Sequence, residues 1–123
     1  MALTRVINSG IGVAASIAGE ATASTNLQQG LCKAWAHTTQ ASSYVLDDSF
    51  NIASIADAGT GKTTININND MASANYVVGG CCTQESVVIA SVAAGSFEGR
   101  SIANDGSLAD STDFTISVHG DLA

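Results

Sequence analysis

Residues 114–119 read Phe-Thr-Ile-Ser-Val-His, apolar and polar in strict alternation. A side-chain period of two puts Phe114, Ile116 and Val118 on one face of a strand and Thr115, Ser117 and His119 on the other. The pattern recurs upstream. Thr63, Ile65 and Ile67 oppose Thr64, Asn66 and Asn68, and Ser96 to Ile102 alternates as well. Leu31, Lys33 and Trp35 fall on one side of the run ending at Ala36, and Tyr76 and Val78 begin another run. Phe50 and Ile52 share a face and Ile55 returns after an offset of three, which predicts a bulge near Ala53-Ser54. Ser86 to Ala94 is almost continuously apolar and reads as a strand buried on both faces, where Val88→Asp should unfold the protein or dissociate its assembly. Turn-forming residues separate the runs: Asp57 to Gly61, Asn68 to Asp70, Gly79-Gly80 and Asn104 to Gly106. About seven or eight short strands with turns at regular spacing predict an all-β fold, an antiparallel β-sandwich over residues 30–123. The chain has no proline, as suits uninterrupted ladders, and no internal repeat.

Residues 1–29 differ. They are rich in Ala, Gly, Ser and Thr, and only a helical turn fits at Ala14 to Ala18, because Gly10, Gly12 and Gly19 bracket it. An extended N-terminal arm for docking or trimerisation is expected there. Arg5, the apolar residues from Val6 to Ala18 and Ala21-Thr22-Ala23 imitate a secretory leader, but Asn8, Ser9, Gly10, Gly12 and Ser16 interrupt the apolar stretch, so no leader is expected.

At 123 residues the chain is read as one domain with a short appendage. Twenty of its residues are alanine, against three Phe, two Tyr and one Trp, so the core is thin and would gain from a partner subunit. Four Lys/Arg against eleven Asp/Glu give a net charge of −7. That balance excludes nucleic acid and anionic membrane as partners, since both need a basic patch. No apolar run is long enough for a spanning helix, so membrane insertion is not expected. The polarity carried by Ser, Thr, Asn, Gln and Gly suits an extracellular or particle-surface protein.

Several constellations invite chemistry. Gly59-Thr60-Gly61-Lys62-Thr63-Thr64 imitates a phosphate loop, but Ala56 stands where the first glycine of the motif belongs and a β pattern follows where a helix must start. A hairpin is expected instead: strand Phe50 to Ala56, turn Asp57 to Gly61, strand Lys62 to Asn68. Asp47-Asp48, Asp57, Asp70, Asp105, Asp110, Asp113 and Asp121 are placed mostly in turns, where capping accounts for them; no calcium-loop spacing is present. Cys32, Cys81 and Cys82 are odd in number and form no disulfide framework, so three reduced, half-buried thiols in strands are expected. His37 and His119 show no zinc or triad spacing. Trp35 is read as a core anchor, against the alternative of an exposed ring that stacks on a sugar. No catalytic, cofactor-binding or metal residue is assigned, no cofactor is implied, and the residues point to a self-assembling or binding module rather than an enzyme.

The stretch from Leu31 to Tyr76 resembles a module common in tailed-bacteriophage particles, often at the end of tail-fibre proteins. That module has a KAWV-type opening, an SFN-[VI]-x-SI-x-D-x-GTG turn, a T-x-N-[FI] strand and an M-x-x-A-NY segment. The matching residues are Lys33-Ala34-Trp35, Ser49-Phe50-Asn51-Ile52, Ser54-Ile55, Asp57, Gly59-Thr60-Gly61, Thr64-Ile65-Asn66-Ile67, Met71 and Ala74-Asn75-Tyr76. The chain departs from the pattern at Ala36-His37, where Val-Asn is usual, and lacks the proline usual near Ser73. The resemblance implies a virion structural protein on the particle surface. It would be a homotrimer, a short fibre or fibre tip, touching other virion proteins through the arm and a host-surface glycan through its far loops. The shortness of the chain also suits a capsid decoration protein, and a sugar-cleaving tip or a secreted adhesin are the competing readings.

Overall fold

In the computed structural model, which describes residues 16–18, 24–26, 30–41 and 43–123, the alternating runs become strands. Two units are distinguished, Met1–Leu31 and Cys32–Ala123. In the first, β1 (Ser16–Ala18) and β2 (Ser24–Asn26) pair antiparallel with each other, so Ala14 to Ala18 makes no helical turn at its described end. The rest of the expected arm lies outside the described residues.

The second unit holds eight strands: β3 (Ala34–Thr39), β4 (Val45–Phe50), β5 (Ile52–Asp57), β6 (Lys62–Ile67), β7 (Val77–Cys82), β8 (Ser86–Ala93), β9 (Ser96–Ile102) and β10 (Phe114–His119). They form two four-stranded sheets, β4-β3-β10-β7 and β5-β6-β9-β8, with every pairing antiparallel. This is the arrangement of a β-sandwich. The alternation decides what lies between the layers. Ala34, Ala36, Phe114, Ile116 and Val118 come from one sheet, Ile65, Ile67 and Phe97 from the other, and Met71 from the β6–β7 connection. Small residues on β3 and β9 make room for the few rings. Gly99 lies so close to Phe114 that an added Cβ would stand 2.6 Å from the ring.

The strand expected from Phe50 to Ala56 is instead broken at Asn51. β4 ends at Phe50 in one sheet and β5 starts at Ile52 in the other, and Asn51 between them turns the corner at a φ of 57°. Asparagine tolerates this left-handed geometry better than other side-chain-bearing residues. Its amide also ties the corner together: Nδ2 donates to the Lys33 and Asn69 carbonyls, and Oδ1 accepts from the Asn69 backbone N–H and side chain. The expected bulge is present, as a register shift between Ile52 and Ser54. The hairpin Asp57 to Gly61 is present too, with Gly59 and Gly61 at φ values of 110° and 65°.

Three other expectations are corrected. Ser86 to Ala94 is not buried on both faces: β8 is an edge strand, with Val88 and Val92 exposed and a shift between Ala90 and Ala93 around Ser91 at φ 48°. Only Val87 and Ile89 pack on the core, so an Asp at position 88 would meet solvent rather than protein. Gly79-Gly80 is no turn but the middle of β7, because Gly80 lies where a Cβ would approach the Thr115 carbonyl to 2.6 Å. Asp47 and Asp48 lie in β4, not in a turn.

A polar cluster joins the sheets at one end. Gln40, just past β3, is fully enclosed with Thr63, Ser101 and Ser111. Its Nε2 donates to Thr63 Oγ1 (2.9 Å), and its Oε1 accepts from Ser101 Oγ (2.7 Å) and the Ser111 N–H (3.0 Å). Buried polar atoms satisfied in this way fix the relative placement of the layers.

Candidate interaction face

The inner and outer faces of the β4-β3-β10-β7 sheet are separated by the same alternation. Residues that do not enter the core form rows across the outer face, with Asp47 beside Thr39 and Asp113 beside His37 at one end. The middle row is Phe50–Trp35–Ser117–Gly79, and beside it runs Asp48–His37–Thr115–Cys81. On the other side, Lys33 donates its N–H to the Val118 carbonyl next to His119, which pairs with Val77. Trp35 is therefore not a core anchor. Its neighbours Ala34 and Ala36 point inward, and the ring stands 37% exposed beside Phe50, itself 55% exposed. Val77 at the other edge is 68% exposed.

The face is asymmetric. Its β4–β3 half carries rings, whereas its β10–β7 half carries a trough of about 400 Å³ lined by Gly79, Gly80, Cys81, Thr115, Ile116 and Ser117. Gly79, on the outer side of β7, removes a side chain that would fill it, whereas a Cβ at Gly80 would face Ile116 and Val87 on the core side. Cys81 Sγ lies 2.9 Å from Thr115 Oγ1 at its rim. His37 Nε2 lies 3.0 Å from Asp113 Oδ1, both groups about half exposed. The outer face of the other sheet is different: Lys62 stands opposite Arg100, and Arg100 pairs at 2.5 Å with Glu98.

The remaining sequence candidates have structural partners. In the Gly59 to Thr64 loop, Asp57 accepts from the Gly59 N–H (2.7 Å) and Asp110 from the Gly61 N–H (2.6 Å). Tyr44 donates to the Gly59 carbonyl and reaches Asp110 at 3.3 Å. Burial, and then the negative charges of Asp110 and Asp57, hold the Tyr44 phenol well above its usual range. Gln40, Ser43, Tyr44, Asp57 and Asp110 line a hollow of about 320 Å³ there, whose carboxylates are engaged as turn caps. A second hollow, of about 530 Å³, lies between residues 83–85 and 103–105. Asp105 beside it is held below the usual carboxylate range by the Ser107 hydroxyl and N–H. Asp70 and Asp121 lie in connections joined by the Ala72 and Ala123 backbone N–H groups, which donate to the Asp121 and Asp70 carbonyls. Cys32, Cys81 and Cys82 are free thiols; Cys81 and Cys82 point to opposite faces of β7, and Cys32 precedes β3 rather than lying in a strand. No group of three metal-binding side chains occurs among the described residues.

The Trp35 face and the Gln40 cluster were not read from the sequence as such. The signal for the face was the pairing of ring positions on adjacent strands, which needs the β3–β4 register. Comparison with protein families, with curated proteins and with solved structures finds no match to this chain.

Proposed function

We propose that this chain is a non-enzymatic structural protein of a tailed-bacteriophage particle, a short trimeric fibre or fibre tip displayed on the particle surface and contacting the host. The observation that carries the reading is the exposed ring-bearing face of the β4-β3-β10-β7 sheet, a surface suited to association in a protein whose own core is thin. The resemblance to the fibre module supports it, because the matching residues serve the scaffold. Asn51 makes the corner, Gly59 and Gly61 make the turn, and Tyr76 packs on the core and donates to the Ala93 and Ser96 carbonyls. Its ring also meets Phe97 edge-on at 6.3 Å between centroids. None of these positions needs chemistry to account for it.

The second reading, a capsid decoration protein, draws on the same face, which would then lie against shell protein rather than against its own copies. Labelled antibody against the chain, applied to purified particles of the phage that encodes it, tests both. Label at the tail tip or on fibres is expected; label over the shell selects decoration, and particles without the chain refute both readings.

A further inference from the structure

We infer that Asp105–Gly106 is a latent modification site, where the aspartate isomerises to isoaspartate through a succinimide, and that Ser107 keeps it closed in the folded protein by gripping the carboxylate. The inference stands independently of the phage reading, since it uses only the chemistry of one turn.

The reaction needs no partner but water. The backbone nitrogen of Gly106 attacks Cγ of Asp105 and a C–N bond forms. One carboxyl oxygen leaves as water, taking the amide proton and the carboxyl proton. Water then reopens the five-membered ring. Breaking the Cγ–N bond restores aspartate. Breaking the bond from nitrogen to the main-chain carbonyl carbon of Asp105 instead routes the chain through Cβ and Cγ, which is isoaspartate. Nothing is oxidised or reduced, and the mass is unchanged. Glycine permits the attack best, because it has no Cβ to crowd the ring. Asp105 is the one aspartate in the chain that precedes a glycine, and no asparagine does so.

Residues 104–107 are all exposed, in the turn between the end of β9 and the bridge from Ile102 to Leu108. Water therefore reaches the site, and the geometry of the turn is what opposes ring closure. The Gly106 N–H donates to the Ala103 carbonyl (2.9 Å), and the Ala103 N–H donates to the Ser107 carbonyl (2.8 Å). Gly106 holds a φ of 80°, which glycine accepts without strain. Bringing the Gly106 nitrogen onto Cγ turns the peptide unit out of this frame and breaks its bond to Ala103.

The carboxylate is held as well. Its Oδ1 accepts from both the Ser107 N–H (2.9 Å) and the Ser107 hydroxyl (2.6 Å). These bonds direct the group to Ser107 rather than to the nitrogen that must attack it. They also favour the ionised form, and so hold the group below the usual carboxylate range. A carboxylate is the poorer electrophile, because its departing oxygen carries no proton. The pair is reactive by sequence and closed by its turn.

Ser107 supplies the test. Ser107→Ala keeps the N–H bond and removes the hydroxyl, whereas Ser107→Thr keeps both. The full-length wild type and both variants are aged in one mildly acidic buffer, with and without guanidinium chloride. Isoaspartate at position 105 is counted by peptide mapping, and urea midpoints are measured alongside. The wild type is expected to isomerise roughly tenfold more slowly in buffer than in denaturant, since attack waits on local opening of the turn. In buffer Ser107→Ala should react severalfold faster than the wild type, at an unchanged midpoint, and Ser107→Thr should return to the wild-type rate. In denaturant all three should react alike. Equal wild-type rates in the two conditions, or no isoaspartate at position 105 in denaturant, overturn the closed site. A Ser107→Ala no faster than the wild type overturns the part given to the hydroxyl, as does a gain that persists in denaturant or follows a lowered midpoint.

Discussion

Replacing Gln40 by Leu isolates what the enclosed polar cluster contributes. The amide makes three hydrogen bonds, to Thr63, Ser101 and the Ser111 N–H, all within fully buried surroundings. Ser101 retains a second acceptor in the Ala109 carbonyl, whereas the Thr63 hydroxyl and the Ser111 N–H lose the amide that faces them. Leaving a buried polar group unsatisfied costs about 1–3 kcal/mol, so two such groups cost roughly 2–6 kcal/mol. Burying leucine atoms returns about 1–2 kcal/mol of that. The net loss expected is about 3 kcal/mol, a large share of the roughly 5–14 kcal/mol typical of a unit this size. Urea unfolding at fixed protomer concentration reads it as a lower midpoint with an unchanged slope. Adding Thr63→Val removes one of the orphaned groups, so the double variant should be more stable than the sum of the two single losses by about 1 kcal/mol or more. A Gln40→Leu variant no less stable than the wild type, or strict additivity in the double variant, would refute the reasoning.

Three further outcomes follow from the geometry. Asn51→Ala loses the amide's ties to Lys33 and Asn69 and strains a left-handed corner, so it should cost about 2 kcal/mol in a urea melt; Asn51→Gly loses the same ties without the strain and should cost less. Gly99→Ala forces a methyl to within 2.6 Å of the Phe114 ring, and thermal melting should show a loss of about 1–3 kcal/mol despite alanine's lower unfolded-state entropy. The folded state holds the Tyr44 proton more tightly than the unfolded state, and burial raises Tyr76 in the same direction. Their contribution is fully present below about pH 10 and is lost as pH rises above it. Tyrosinate absorbance should therefore appear at higher pH in the folded protein than in urea, and Tyr44→Phe should flatten the alkaline fall in stability.

Where one face of a strand is buried and the other wet, the sequence carried the structure. Phe114-Ile116-Val118 and Thr63-Ile65-Ile67 alternate because the core lies on one side only, and both sets are buried as their pattern requires. The reading failed where apolar side chains stand on an outer or edge position. Trp35 and Phe50 are as hydrophobic as any core residue, and only the neighbours Ala34 and Ala36, small and inward, reveal which side is inside. β8 is apolar on both faces, which looks like double burial from composition although the strand lies at an edge. Gly79-Gly80 resembles a turn because the need for a missing Cβ at Gly80 comes from Thr115, which is distant in sequence. The corner at Asn51 was hidden because one apolar run supplies strands to both sheets. The Gln40 cluster was illegible for a related reason: its members come from four separate segments, and hydrogen-bonding complementarity has no period.

The absolute mass of the purified full chain, measured by light scattering over a dilution series, tests the central claim most directly. A trimeric particle protein predicts three times the 12.3 kDa protomer, held until dilution separates the subunits together. A mass of one protomer at every concentration would contradict it.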